Sequence, residues 1–157
     1  MKIDIYTDGS SRGNPGPGGY GIIMRAGGTN YEKSFSQGFR LTTNNRMELL
    51  AVIVALEKLK TSGHDVHIYS DSKYVVDAVS KGWLHGWARK NFVGKKNPDL
   101  WMRYLRAAQM QSVTFHWIKG HNEHPENERC DALAVAAATA PKERLLIDTA
   151  FENDQNL

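Results

Sequence analysis

Ile5-Tyr6-Thr7-Asp8-Gly9-Ser10 is a short apolar run that stops at an acid and turns on a glycine, and Ile68-Tyr69-Ser70-Asp71-Ser72 repeats the pattern. Each reads as a strand closed by a hydroxyl residue and an aspartate. Parallel neighbouring strands lie about 4.8 Å apart, so the two carboxylates stand side by side where the strands end. Sheets of this kind bind ligands beyond the carboxyl ends of their strands. Two anions held that close repel, and one stays protonated unless a cation sits between them. The pair asks for a metal.

Working outward, Lys2 to Thr7 alternates and reads as the first strand. The glycines from Gly9 to Gly21, with Pro15 and Pro17, read as loop chemistry. Gly16 to Gly21 spells G-x-G-x-x-G, but it holds Pro17 and leads into the strand-like series Tyr20 to Ala26, whereas a dinucleotide loop must open a helix. A turn at Gly27 and Gly28 leads to a third strand, Tyr31 to Gln37, completing an antiparallel meander. The spacing predicts a helix from about Asn45 to Lys60, with Asn45 and Glu48 resembling a capping box. Capping is one account of Glu48. Its spacing with Val52, Ala55 and Leu59 supplies another, an acid facing the sheet.

Val66 to Ser70 is the fourth strand, and a short helix follows from Ser72. Trp83, Leu84 and Trp87, then Leu100, Trp101 and Tyr104, mark the apolar faces of two more helices. Between them the chain is basic and carries Phe92. Trp101 reads as core, whereas Trp83, Trp87 and Phe92 fit either core or nucleic-acid stacking. Ser112 to Ile118 is the fifth strand, and Glu126 to Ala140 is an alanine-rich helix that sets Asp131 on a face with Ala134, Val135 and Ala138. The tail from Pro141 has no periodicity and is expected to be partly disordered.

Four acids therefore stand out by position: Asp8, Glu48, Asp71 and Asp131. An all-oxygen set suits Mg²⁺, with Mn²⁺ as a substitute, rather than zinc. The spacing of His121, His124 and Cys130 matches no paired zinc pattern. Carboxylates holding two Mg²⁺ roughly 4 Å apart would clamp an in-line phosphoryl displacement. His121, on a loop ahead of the last helix, is placed for proton transfer or product release; an exposed loop histidine is the simpler account.

The 157 residues, 41% hydrophobic, fit a single domain, expected to span 1–157. No stretch approaches the roughly 20 apolar residues of a membrane span, and one cysteine fits a reducing compartment, so a soluble cytoplasmic monomer is expected. Residues 73–106 hold eight Lys/Arg against Asp77 and Asp99, a net +6; the other twelve basic and fifteen acidic residues give −3. Such local excess points to a polyanion, here a nucleic acid.

Tyr6 to Ser10, Gly13 to Gly21, Thr42 to Leu49, Ser70 to Ser72, Lys119 to His121 and His124 to Asp131, in this order, closely resemble bacterial ribonuclease H, type 1. The resemblance implies an α/β fold, a five-stranded mixed sheet of antiparallel meander plus parallel strands flanked by helices. It also implies an endonuclease cutting the RNA strand of RNA–DNA hybrids with Mg²⁺, leaving 5′-phosphate and 3′-hydroxyl ends. On this likeness Asp8, Glu48, Asp71 and Asp131 are the metal ligands and His121 the mobile histidine. Asn14, Thr43, Asn44 and Asn45 resemble the groups that read 2′-hydroxyls and hold a DNA phosphate. Residues 81–98 resemble the basic protrusion, with Trp83, Trp87, Arg89, Lys90, Lys95 and Lys96 expected near the hybrid. Lys73 stands where the family often has glutamine, a further expected contact. A hybrid-binding module without catalysis would lack at least one of the acids, and all four are present. A transposase or integrase of the same fold needs DNA-binding segments for which the chain has little room.

Overall fold

The structure, a computed structural model, describes residues 1–119 and 124–155; the expectation for His121 lies outside the described residues. Five strands, β1 (Lys2–Ser11), β2 (Gly16–Ala26), β3 (Glu32–Thr42), β4 (Asp65–Ser70) and β5 (Ser112–Trp117), form one sheet in the order β3-β2-β1-β4-β5. β1 pairs antiparallel with β2 and parallel with β4, and β5 continues the parallel half. The mixed sheet expected from the sequence is the one observed. Parallel pairing puts Ile5 against Ile68 and Tyr6 against Tyr69, then stops. β1 runs on beside β2 to Ser11. Asp8 therefore lies within a strand rather than at its end, but beyond the last β4 pair, where Asp71 leaves the sheet.

Helix α1 (Asn44–Glu57) lies across β1 and β2, and the core forms between them: Ile5, Ile22, Met47, Leu49, Ile53, Val66 and Ile68 are fully buried. Burying each such side chain contributes about 1.5–3 kcal/mol over its exposed state. The short helices α2 (Lys73–Ser80) and α3 (Trp83–Arg89) follow β4, with Ser72 capping α2. Helix α4 (Pro98–Ala108) packs on α1 and sinks Trp101 completely. α1 stops three residues earlier than expected, and β3 extends five residues further.

Helix α5 (Pro125–Ala138) covers the opposite face of β1, β2 and β3, and its approach corrects the reading of the glycine-rich stretch as loop. Gly18, Gly19 and Gly21 are strand residues of β2. A Cβ on Gly19 would stand 2.7 Å from the Ala134 carbonyl oxygen, and Gly21 and Gly38 meet the backbone of α5 more closely still. Glycine clears a lane in which helix backbone lies directly on strand backbone.

Within the described residues the tail forms structure that its lack of periodicity did not predict. After a 3-10 turn at Lys142–Arg144, Leu146 bridges Phe39 of β3, exchanging main-chain bonds with Gly38 and Arg40 at 3.0 and 2.9 Å. Helix α6 (Thr149–Gln155) follows. Just before it, Asp148 is buried, accepting from the Thr42 hydroxyl at 2.7 Å and from two nitrogens of the buried Arg46 at 2.7 and 2.9 Å. A strap held by ion pairs leaves no apolar period for a sequence reading to find.

Candidate active site

Three elements bring the acids together. β1 supplies Asp8, the residue after β4 supplies Asp71, and the second turn of α1 supplies Glu48. Thr43, not Asn45, is the N-cap of α1, its hydroxyl accepting from the Arg46 amide at 3.2 Å. Glu48 is thus freed from any capping box, and it accepts instead from the Gly9 amide of β1. That contact depends on Gly9, since a Cβ there would collide with the α1 backbone at Met47 and Glu48. The same amide also donates to Asp8 Oδ1 at 3.0 Å.

One carboxylate oxygen each from Asp8, Glu48 and Asp71 lies within 4.8 Å of the others, with Asp8 and Glu48 buried and Asp71 half-buried. Burial pushes Asp8 up to about 7, aided by the charges of Asp71 and Asp131. Burial first and the Asp8 charge second hold Glu48 well above the usual carboxylate range. Among the described residues no cationic side chain pairs with the cluster. The cavity above it is lined by polar groups, among them Asn44, Asn45, Lys73 and Tyr74. Lys73 directs its ammonium over the Trp117 ring, 4.8 Å from the centroid, and so stands at the wall. Oxygen donors at this spacing, packed and unneutralised, fit hard divalent cations.

Asp131 lines the same cavity, but from the rim: it is exposed, and the buried face of α5 is Asn127, Cys130, Ala134 and Ala138. Of the face expected, Ala134 and Ala138 are buried, whereas Asp131 and Val135 are exposed. Asn127, four residues before Asp131, escaped the sequence reading; it is buried against the cavity, its Oδ1 without a hydrogen-bond partner among the described residues. An i, i+4 relation to Asp131 was the available signal.

Of the other expected contacts, Asn14 accepts from the Asn44 amide at 3.1 Å, which sets Asn14, Thr43, Asn44 and Asn45 together at the start of α1. Arg89, Lys90, Lys95 and Lys96 are exposed. Trp83 is 48% exposed with Lys81 over its ring, whereas Trp87 packs edge-on against Trp101 and Phe92 is buried. The three aromatics left open by the sequence therefore divide: Trp83 to the surface, Phe92 to the core and Trp87 between them. Arg46, unremarked in the sequence, ties Asp148 to Asp99 and Asn97 at the base of the basic segment.

The RNase H family model matches residues 1–139. The ribonuclease H of Desulforamulus reducens is 54% identical over 145 residues, 89% of each chain, and that of Pectobacterium atrosepticum 49% identical over 156 residues, 96% of this chain and 97% of that protein. Among solved structures, LC9-RNase H1, a type 1 RNase H with the type 2 active-site motif, superposes with a TM-score of 0.78 at 31% identity, over 99% of this chain and 81% of that one. LC11-RNase H1, solved in complex with an RNA/DNA hybrid, gives 0.60 at 28% identity, over 95% of this chain and 99% of that one. With a carboxylate cluster built on this sheet and a family match over nearly its whole length, the chain belongs to the RNase H family.

Proposed function

We propose that this chain hydrolyses the RNA strand of RNA–DNA hybrids, with Asp8, Glu48, Asp71 and Asp131 holding two Mg²⁺ ions and Mn²⁺ able to replace them. The observation that carries the reading is the packing of three carboxylates within 4.8 Å of one another, two of them buried and none paired with a cationic side chain among the described residues. Bound there, the ions supply the Lewis acidity that activates the attacking water and stabilises the departing 3′ oxygen. Products carry 5′-phosphate and 3′-hydroxyl ends.

The chain's own groups orient and select. The Gly9 amide fixes Glu48 and Asp8 relative to each other before substrate arrives, so little reorganisation is left for the reaction. Asn14, Thr43, Asn44 and Asn45 meet the hybrid's minor groove, where 2′-hydroxyls distinguish the RNA strand. Lys73, Trp83, Trp87, Arg89, Lys90, Lys95 and Lys96 contact the backbones, and His121 moves a proton at the leaving group or eases product exit. Among the described residues no helix is long and apolar enough to cross a membrane. A buried free Cys130 supports work in the reducing cytoplasm, as a monomer of one domain.

The test is one labelled RNA offered as single strand, RNA duplex and RNA–DNA hybrid, with Mg²⁺ and with chelator. Cutting confined to the hybrid and abolished by chelator is expected. Asp71→Asn should lose cleavage and keep hybrid binding; near-normal turnover in that variant would sink the metal assignment.

A further inference from the structure

Among the described residues, Lys73 is the only cationic side chain lining the carboxylate cavity. It stands at an electrostatically awkward place. Lys73 opens helix α2, where the helix dipole presents its positive end and favours anions. It follows Asp71 by two residues, and its flexible four-carbon stem can swing onto the acids. An ammonium there would compete with a divalent ion for the same oxygens. Among the described residues Lys73 forms no ion pair; its Nζ sits instead 4.8 Å from the centroid of the Trp117 ring.

Trp117 is the last residue of β5 and is 45% exposed. Parallel pairing sets it opposite Ser70, one residue before Asp71, and the following Ile118 amide donates to the Ser70 carbonyl at 2.9 Å. Its indole Nε1–H donates to the Asp71 main-chain carbonyl at 3.3 Å. One side chain thus touches the chain on both sides of the Asp71 carboxylate, the carbonyl through its nitrogen and the lysine through its face. Strand pairing fixes where the indole stands, so the lysine is the partner that adjusts. β5 lies on the far side of β4 from β1. The ring therefore draws the ammonium away from Asp8 and Glu48. Indole is the strongest aromatic partner for a cation within about 6 Å of its centroid.

We propose, on the reading of the acids as the metal site, that Trp117 is a positioning residue whose indole face holds the Lys73 ammonium off the carboxylates and keeps them open to Mg²⁺. Without the ring, the nearest opposite charge available to Lys73 is the cluster itself. An ammonium that occupies the cluster roughly two-thirds to nine-tenths of the time lowers its apparent Mg²⁺ affinity about three- to tenfold.

The test adds Mg²⁺ to the full chain without hybrid and follows the Gly9 amide, which donates to Asp8 and Glu48, by two-dimensional NMR. Trp117→Leu should raise the Mg²⁺ midpoint about three- to tenfold. Trp117→Phe keeps a ring face under the ammonium and should stay within about twofold of wild type. Lys73→Gln should bind Mg²⁺ at least as tightly as wild type, and adding Lys73→Gln to Trp117→Leu should restore the midpoint. That rescue separates the proposal from a structural role, since a leucine that merely deformed the Asp71 backbone would do so with either residue at 73. A wild-type midpoint in Trp117→Leu, or a double variant as weak as Trp117→Leu alone, would overturn it. The titration needs no hybrid, so its failure is distinct from failure of the cleavage reading. A wild-type Gly9 amide indifferent to Mg²⁺ would overturn both this role and the metal assignment.

Discussion

Replacing Asp8 by asparagine should destroy cleavage and at the same time make the metal-free protein more stable. Asp8 is 6% exposed, and its carboxyl is pushed from 3.8 up to about 7 by burial and by the neighbouring Asp71 and Asp131 charges. A shift of about three units corresponds to a ceiling of about 4 kcal/mol on the cost of ionising it in the folded state. Glu48 shares that cost, because whichever of the two takes the proton relieves the other. The expected gain is therefore about 1–2 kcal/mol, or roughly 2–8 °C in Tm for a chain of this size. The sign follows from linkage. A folded pKa raised above the unfolded one favours the folded state fully below about pH 4, and the benefit is lost as pH rises through 7. In chelator, the variant and wild type should thus unfold alike near pH 4 and diverge by pH 8, with the variant more stable. Circular-dichroism melts across that range measure it, and saturating Mg²⁺ should close the gap by stabilising wild type. A variant less stable than wild type in chelator at pH 8, or a difference independent of pH, would refute the reasoning.

Gly38→Ala should cost at least about 3 kcal/mol in urea unfolding, because its Cβ would collide with the Ala137 carbonyl group of α5. Gly86→Ala, with open space at its Cβ inside α3, should instead stabilise by about 0.5–1 kcal/mol. Asp148→Ala removes the buried partner of Arg46 while leaving Asp99, so a loss of about 2–3 kcal/mol is expected in the same assay. Changing Lys95 and Lys96 together to glutamine should weaken hybrid binding and flatten its salt dependence by about 1.5–2 units of log–log slope. An unchanged slope would mark both lysines as solvated surface.

The repeated strand-then-acid pattern at Asp8 and Asp71 was legible because a parallel sheet converts two similar sequences into two neighbouring positions, and the observed register does this. Glu48 was legible by helical spacing, though the N-cap is Thr43 rather than the expected Asn45. Less visible was anything that depends on how far apart two backbones lie. The glycines of β2 look like loop until α5 is seen against them, since the signal for close approach is the absence of a side chain. Asp131 was identified as a candidate and lines the cavity, but its exposure was not legible, because in an alanine-rich helix buried and exposed positions look alike. The Arg46, Asp148 and Asp99 cluster joins residues 53 and 102 positions apart and obeys no local period. Asp71 and Trp117, 46 apart, meet only once β4 and β5 have paired.

The buried guanidinium of Arg46 also bears on the timing of synthesis. Its partner Asp148 is encoded 102 residues downstream, so at roughly 5–20 residues per second a ribosome needs roughly 5–20 s to deliver it. Throughout that interval the nascent chain holds the first three strands and α1 but lacks the anion that lets Arg46 sit inside. The core can collapse early, whereas the final closure at the base of the basic segment waits for translation to pass the strap.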